Sequence, residues 1–248
     1  MSRTVLVTGG SRGVGREIVT RFAELGDQVV AVARDAEMLA QVAAEVSGQV
    51  RAVSCDVTDE DAVARLMRDV GQVDVLVNNA GIASSARLNR TTLESWNAHM
   101  AVNATAVFLC TRAVIGEMQA RGEGRIITVA SVAGRVGVAY AGAYSASKHA
   151  AVGVTRSAAA ELAGSRATAN AVCPAFVDSE MTAASAARIA ERTGRTLEES
   201  IDTLARLSPL NRLVKPGEVA DIVVWLASCA AEAVNGQTIV LDGGGVQA

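Results

Sequence analysis

The chain has 248 residues, half of them hydrophobic and 20% charged, so it can bury a sizeable core and is not disordered. Its formal net charge of −3 gives no electrostatic reason to expect binding to nucleic acid or to an anionic membrane surface. No basic segment precedes an apolar stretch at the start, and no run of about 18 consecutive apolar residues occurs. We therefore expect a soluble, cytoplasmic protein that does not contact a membrane.

Apolar strand-like segments alternate with amphipathic helical segments along the chain. Near-continuous apolar strands are typical of a parallel sheet with helices on both faces. No linker, charge run or repeat divides the sequence, so we predict one α/β domain over residues 1–248 with a doubly wound parallel sheet. The predicted strands are residues 4–8, 28–33, 50–55, 73–77, 125–130, 168–173 and 237–241. The predicted helices are residues 15–25, 35–46, 59–70 with a capping box at Thr58-x-x-Asp61, 96–118, and one that carries Tyr144 and Lys148.

The stretch from residue 177 to 213 interrupts this alternation with polar helical pieces at 185–193 and 196–207. An insertion between the last helix and the last strand lies at the carboxyl edge of such a sheet, where ligands bind. We predict a small helical substrate lid over about residues 179–212. The alternative is a surface helical hairpin without a role.

A glycine-rich turn follows the first strand and opens the first helix. Glycines permit a tight turn and let backbone N–H groups approach a pyrophosphate at a helix N-terminus. The spacing G-x-x-x-G-x-G differs from G-x-G-x-x-G, but its strand–turn–helix context favours a dinucleotide site over a merely tight turn. The predicted cofactor-binding residues here are Gly9, Ser11, Arg12, Gly13, Val14 and Gly15.

The end of the second strand indicates which dinucleotide is bound. An acidic residue there would bind the ribose hydroxyls and repel a 2′-phosphate. This chain has Ala33 and then Arg34, and with Arg12 two guanidiniums suit a 2′-phosphate. Asp35 is the counter-argument, because a shift of two residues would place it on the ribose. We therefore favour NADP(H) over NAD(H). Asp56, after the third strand, is predicted to bind the adenine edge or to cap the next helix.

Tyr144 and Lys148 are four residues apart and share one face of the predicted helix. An ammonium near a phenol lowers the tyrosine pKa from its ordinary value of about 10, so that the phenol can exchange a proton near neutral pH. Ser131 follows an apolar strand and would bring a hydroxyl to its carboxyl end. The alternative is a tyrosine and a lysine on an ordinary helix.

The four cysteines and two histidines form no metal-ligand pattern. The cysteines are far apart in apolar surroundings and include no C-x-x-C, so we predict buried free thiols and no metal site.

Together these motifs resemble those of the short-chain dehydrogenase/reductase family over essentially the whole chain. Within the family, residues 168–174, 209–212 and 235–244 are most similar to 3-oxoacyl-[acyl-carrier-protein] reductases and polyketide ketoreductases. The matching residues are Thr8-Gly9-x-x-x-Gly13-x-Gly15, Asp56-Val57, Asn78-Asn79-Ala80-Gly81, Asn103, Ser131, Tyr144-x-x-x-Lys148, and Asn170 with Pro174.

The resemblance implies a Rossmann fold and four catalytic residues. Tyr144 would protonate the carbonyl oxygen as hydride arrives, and Ser131 would hydrogen-bond that oxygen. Lys148 would hold the nicotinamide ribose and lower the Tyr144 pKa. Asn103 would anchor a water between Lys148 and solvent; from the residues alone it is a buried amide in an apolar helix.

The resemblance also implies cofactor contacts after the later strands. Ala175 stands where the family usually has glycine, and alanine resists a positive φ. Ser179 stands where threonine is common. The implied contacts are Asp56 and Val57 near the adenine, Asn79, Ala80 and Gly81 near its ribose, and Pro174, Val177 and Ser179 near the nicotinamide.

The implied function is NADP(H)-dependent interconversion of a ketone and a secondary alcohol, most directly reduction of a 3-oxoacyl thioester on an acyl carrier protein or CoA, or of a similar carbonyl. One alternative is an NAD(P)-dependent dehydrogenase of a cyclic, aromatic or hydroxyacyl-CoA secondary alcohol. Another is a non-catalytic dinucleotide sensor.

The resemblance further implies partners. Arg125 and Arg166 match arginines that receive an acidic carrier protein, or are ordinary surface charges. The helix at 150–163 and the tail at 242–245 resemble tetramer surfaces, so we predict a homotetramer. His99, His149, Trp96 and Trp225 are predicted to be packing or surface residues.

Overall fold

Seven parallel strands form one sheet in the computed structural model, which describes residues 2–247. The order is β3-β2-β1-β4-β5-β6-β7, and it reverses between β1 and β4. A crevice at the carboxyl ends of the strands is where ligands bind in such sheets. The strands are β1 Thr4–Thr8, β2 Gln28–Ala33, β3 Gln49–Ser54, β4 Val75–Asn78, β5 Arg125–Val129, β6 Thr168–Pro174 and β7 Thr238–Leu241.

Helices cover both faces of the sheet, which confirms the predicted doubly wound α/β fold. In the described residues, α1, α2 and α9 pack on one face, and α3, α5 and α6 pack on the other. The helices are α1 Gly13–Glu24, α2 Ala36–Glu45, α3 Glu60–Val70, α4 Leu93–Met100, α5 Ala106–Arg121, α6 Gly142–Glu161, α7 Glu180–Thr193, α8 Leu197–Ala205 and α9 Pro216–Leu226.

The central strands β1, β4 and β5 are mostly apolar and almost entirely buried because both of their faces are covered. Side chains alternate along a strand, so Val5 and Val7 enter the core under α1 while Leu6 enters the opposite core. Phe22 of α1 is among the largest fully buried side chains, and smaller aliphatic residues fill most of the remaining volume.

The predicted start of α3 is wrong by one residue. Its N-cap is Asp59, whose carboxylate accepts the Ala62 N–H at 3.0 Å. The Thr58 hydroxyl instead donates to Asp56 at 2.7 Å within the preceding turn. The prediction of four buried thiols is also wrong at one position: Cys55, Cys110 and Cys173 are buried, whereas Cys229 begins a surface turn and is exposed.

The predicted helix at 96–118 belongs to a continuous helical segment, Leu93–Arg121. A π-helical turn, Ala101–Thr105, joins α4 to α5 inside it. By length and composition this segment could cross a membrane, but half of its apolar window is buried within the protein. It packs against α3, α6 and β4, so we interpret it as a core helix of the fold.

The predicted insertion forms two helices, α7 and α8, that pack against each other. Both predicted pieces are present, with α7 beginning five residues earlier than expected. The base of the insertion is closed by two backbone hydrogen bonds: Val214 N–H to Phe176 O at 2.9 Å, and Asp178 N–H to Val214 O at 2.8 Å.

Candidate active site

The structure brings the predicted catalytic residues together at the carboxyl end of β5. Lys148 donates to the Val129 carbonyl at 3.0 Å, and its Nζ lies 5.9 Å from the centre of the Tyr144 ring. Ser131 caps the next turn by accepting the Ala133 N–H at 3.1 Å. The phenol, hydroxyl and ammonium therefore converge, and their catalytic roles stay predictions.

The pKa of Tyr144 does not follow the expectation that Lys148 lowers it. Burial raises the pKa of Tyr144 above its ordinary value, and hydrogen bonding with Ser131 only partly opposes that rise. The Lys148 ammonium donates to the Val129 carbonyl and lies over the Tyr144 ring, 5.9 Å from its centre, and it does not offset the rise. Burial also lowers the pKa of Lys148 to about 8.

Asn103 lies in the π-helical turn and is fully buried. Its Oδ1 accepts the Ile82 N–H at 2.9 Å, and its Nδ2 donates to the Ile82 carbonyl at 3.0 Å and to Ser147 Oγ at 2.9 Å. The Ser147 hydroxyl in turn donates to the Tyr144 carbonyl at 2.8 Å. The side chain thus ties the loop after β4 to α6, while its predicted water-anchoring role stays a prediction.

Sequence reasoning missed the position of His99 beside the catalytic tyrosine. Its ring meets the Tyr144 ring edge to face, with centroids 6.3 Å apart. Nδ1 lies 2.7 Å from the Ser95 carbonyl and must donate, whereas Nε2 accepts the Ser84 N–H at 3.1 Å. His99 is buried and packs as predicted, but it also fixes the loop after β4. Its position four residues before Asn103 on one helix was the available signal.

The glycine turn is tightly built. Gly9 and Gly13 have φ of 67° and 52°, which favours glycine. A Cβ on Gly15 would lie 2.0 Å from the Gly9 carbonyl oxygen. The Asn79 amide donates to the carbonyls of Thr8 and Gly9 at 3.0 and 3.1 Å. The side chain of Asn79 is therefore used to hold the turn.

The turn also fits a dinucleotide phosphate. Arg12 is the N-cap residue of α1, yet no side chain in the described part of the chain caps the first N–H groups of that helix. By contrast Asp35 caps α2 and Ser179 caps α7. Free N–H groups at a helix N-terminus form an anion site, so the donors present suit the pyrophosphate of the cofactor.

The residues that distinguish the two dinucleotides are now resolved in space. Asp35 accepts the N–H groups of Glu37 and Met38 at 3.1 and 3.0 Å, so its carboxylate is engaged in capping α2. Arg34 is exposed and forms no ion pair within residues 2–247. Arg12 pairs with Glu180 at 2.9 Å on an exposed surface.

The remaining predicted cofactor residues follow the carboxyl ends of β3, β4 and β6. Asp56 accepts the N–H and hydroxyl of Thr58, which lowers its pKa, so it shapes a turn and does not cap α3. Ala175 has no positive φ, which removes the expected strain. The residues placed at this edge are Asp56, Val57, Asn79, Ala80, Gly81, Pro174, Val177 and Ser179.

Arg125 and Arg166 lie at the opposite, amino-terminal edge of the sheet. Arg125 is 9% exposed and donates to the carbonyls of Gly124 and Arg166. Arg166 faces Glu123 and Glu232. Neither is a free cation near the Tyr144 of its own chain, so this geometry gives their predicted carrier-docking role no support.

Comparisons with known proteins agree with this architecture. The family model for short chain dehydrogenase matches residues 3–190. The chain is 40% identical to granaticin polyketide synthase putative ketoacyl reductase 1 of Streptomyces violaceoruber, over 96% of this chain and 91% of the relative. It is 38% identical to 2-(R)-hydroxypropyl-CoM dehydrogenase of Xanthobacter autotrophicus, over 98% of each.

A crystal structure of a variant actinorhodin polyketide ketoreductase with NADPH superimposes with a TM-score of 0.92, at 37% identity and covering 98% of this chain and 97% of that one. The chain belongs to the short-chain dehydrogenase family. It is an oxidoreductase that acts on CH–OH groups and the corresponding carbonyls.

Proposed function

We propose that this enzyme is an NADP(H)-dependent ketoreductase that reduces a 3-oxoacyl thioester of CoA or of an acyl carrier protein, or a similar ketone. The observation that carries the proposal is the convergence of Tyr144, Ser131 and Lys148 on the sheet edge that also holds the uncapped N-terminus of α1. The ketoacyl reductase among its relatives supports the substrate class.

The chemistry follows from the protonation of these side chains. The bound dinucleotide supplies the hydride. The Tyr144 phenol is protonated near neutral pH, so it can donate a proton to the carbonyl oxygen that Ser131 orients. Lys148 has one carbonyl partner among the described residues, which leaves ammonium N–H groups for the ribose hydroxyls.

NADP(H) is preferred because Arg34 is unpaired among residues 2–247 while Asp35 is engaged in capping. The Arg12–Glu180 pair is exposed, and such pairs contribute only about 0–1 kcal/mol, so a phosphate can displace it. Replacing Arg34 by Ala should lower the kcat/KM ratio of NADPH to NADH by about 10- to 100-fold. Asp35→Asn keeps a capping side chain and serves as the control, with an unchanged ratio. A change caused by Asp35→Asn alone would place Asp35 on the ribose.

The substrate class is tested with acetoacetyl-CoA and NADPH. We expect loss of reduced-nicotinamide absorbance that depends on both components. A lack of turnover with every 3-oxoacyl thioester tried would refute the thioester assignment.

A second candidate function is oxidation of a secondary alcohol. The similarity to a hydroxyalkyl dehydrogenase at 38% identity favours it, and the same phenol can accept a proton in the reverse direction. Comparing kcat/KM for matched ketones and alcohols with each cofactor decides between the two functions.

We also propose a cytoplasmic homotetramer. Three large apolar side chains on the α4–α5 segment are exposed in the single chain: Leu93, Trp96 and Phe108. Large apolar side chains exposed on one helical segment are a feature of surfaces that pack against another copy of a chain. Light scattering during size-exclusion chromatography measures the assembly directly, and a monomer would contradict it.

A further inference from the structure

Arg188 extends from the lid helix α7 towards the loop after β4. One guanidinium nitrogen, Nη2, lies 3.5 Å from the Ala83 carbonyl and 3.2 Å from Ser185 Oγ. Its Nε is withdrawn from solvent and has no hydrogen-bond partner among the described residues. The side chain is half-buried, so a cation is held here by two weak contacts.

Other arginines of the described chain behave differently. A guanidinium has five N–H donors, and burying it without an anion is costly, so buried charges are normally paired. Within residues 2–247, Arg188 has no carboxylate partner, although it is less exposed than many arginines that have one. Those paired arginines include Arg12, Arg16, Arg51, Arg112, Arg166 and Arg212.

The contact at Ala83 places Arg188 on the substrate side of the site. Two residues before Ala83, an added Cβ on Gly81 would lie 3.5 Å from Lys148 Nζ. One residue after it, Ser84 is bound by His99, which packs on Tyr144. The loop that Arg188 touches is therefore the loop that borders the catalytic groups.

The other end of α7 serves the cofactor side. Its N-cap, Ser179, lies against the glycine turn, because a Cβ added to Gly13 would stand 3.8 Å from the Ser179 Cβ. Arg188 is nine residues further on, about 13 Å along the helix axis. The glycine turn and Arg188 thus lie in separate parts of the crevice.

We propose that Arg188 binds an anionic oxygen group of the substrate while the substrate carbonyl lies at Tyr144, so that the enzyme acts on anionic ketones. This assignment deepens the ketoreductase function proposed above and rests on it. A carboxylate and a phosphate share the required chemistry, since each offers oxygens in the geometry that a guanidinium fork matches. The anionic group is either the carboxylate of a free oxo acid or a phosphate of the CoA or acyl carrier protein that carries the thioester.

The test compares oxo acids with their methyl esters. The substrates are 3-oxobutanoate, 4-oxopentanoate and 5-oxohexanoate, each paired with its ester. We expect the wild type to prefer at least one acid over its ester in kcat/KM, and Arg188→Gln to lower that acid-to-ester ratio by about 10- to 100-fold. Arg188→Lys retains the charge and should retain part of the preference. Arg192→Gln, on an exposed site one turn further along α7, is the control and should leave the ratio unchanged.

A second pair of substrates distinguishes a substrate carboxylate from a carrier phosphate as the anion that Arg188 binds. Acetoacetyl-CoA carries phosphates, whereas acetoacetyl-N-acetylcysteamine carries none. A selective loss of the CoA preference in Arg188→Gln assigns the phosphate, and a selective loss of the acid preference assigns the carboxylate. If Arg188→Gln changes neither ratio, or changes them no more than Arg192→Gln does, the proposal is wrong.

Binding measurements keep this result separate from the proposed reaction. Calorimetric titration of each acid, ester and thioester, with oxidised cofactor present, reports the discrimination by Arg188 without turnover. A complete lack of reduction would refute the ketoreductase function, while a loss of acid or phosphate binding in Arg188→Gln would still support the anion site. Equal binding of acid and ester, and of the two thioesters, by the wild type would overturn that site.

Discussion

The glycine turn after β1 and the substrate side of the site, which includes Arg188 and Tyr140, differ in how their polar groups are hydrogen-bonded and how their backbone is held. In the turn, the Asn79 amide bonds the carbonyls of Thr8 and Gly9. On the substrate side, the Nε of Arg188 is buried without a partner among the described residues, and Tyr140 has a φ of +65°. The comparison teaches that side-chain hydrogen bonds brace the backbone of the glycine turn before any ligand binds, whereas on the substrate side the Nε of Arg188 has no partner within residues 2–247.

The largest effect on the substrate side of the site is expected for Tyr144→Phe, which tests the proposed proton donor. Removing the phenolic proton donor should lower kcat by about 100- to 10,000-fold and leave cofactor affinity nearly unchanged. Steady-state kinetics and a fluorescence titration with NADPH measure the two effects. Tyr140→Phe is a matched control, because Tyr140 lies four residues before Tyr144 but is 62% exposed. Wild-type turnover by Tyr144→Phe would remove the tyrosine from the mechanism.

Gly15→Ala tests how tightly the glycine turn is constrained. The added Cβ would lie 2.0 Å from the Gly9 carbonyl oxygen and 2.5 Å from Asn79 Nδ2, so the turn must shift. We expect the free energy of unfolding to fall by about 1–3 kcal/mol, together with weaker cofactor binding. Gly116→Ala has open space around it and should instead stabilise α5 by up to about 1 kcal/mol. Equal denaturation midpoints for the two variants would show that the turn is not tightly constrained.

The buried ammonium of Lys148 predicts a pH-dependent stability. Its pKa falls from 10.5 to about 8 on folding, so between these values the unfolded chain binds more protons and the folded state gains stability as pH rises. The destabilisation is fully present below about pH 8 and amounts to about 3 kcal/mol at most. Lys148→Met should therefore be more stable than the wild type at pH 7, with a difference that shrinks towards pH 10. Exposed Lys215→Met is the control; a constant difference across this range would contradict the prediction.

The smallest effect is expected for Asp35→Ala. Loss of the α2 cap should lower the free energy of unfolding by about 1 kcal/mol without altering the ratio of NADPH to NADH efficiency. Chemical denaturation and cofactor kinetics check both parts. A stability unchanged from the wild type, with a shifted cofactor ratio, would reverse the assignment of Asp35.

Much of the fold could be predicted because its signals are local. The strands are predominantly apolar, and several helices begin at a capping side chain or end at a glycine, so the alternation is visible in the residue order. The exact cap of α3 was not predictable, since Asp56, Thr58 and Asp59 compete for neighbouring donors and only the folded turn selects Asp59. Cys229 was misjudged because apolar neighbours in sequence do not ensure burial in space.

By itself the sequence determined the doubly wound sheet, the glycine turn and the Tyr144-x-x-x-Lys148 pair, because these depend on periodicity and short spacing. Asn103 and Ser131 joined that pair as catalytic candidates through the resemblance to the short-chain dehydrogenase/reductase family. Only the tertiary structure decided the direction of the Tyr144 pKa, the engagement of Asp35 in capping, and the contacts of His99 and Arg188 around the substrate loop. These properties depend on burial and on partners as many as 105 residues apart in the chain, which residue order does not reveal.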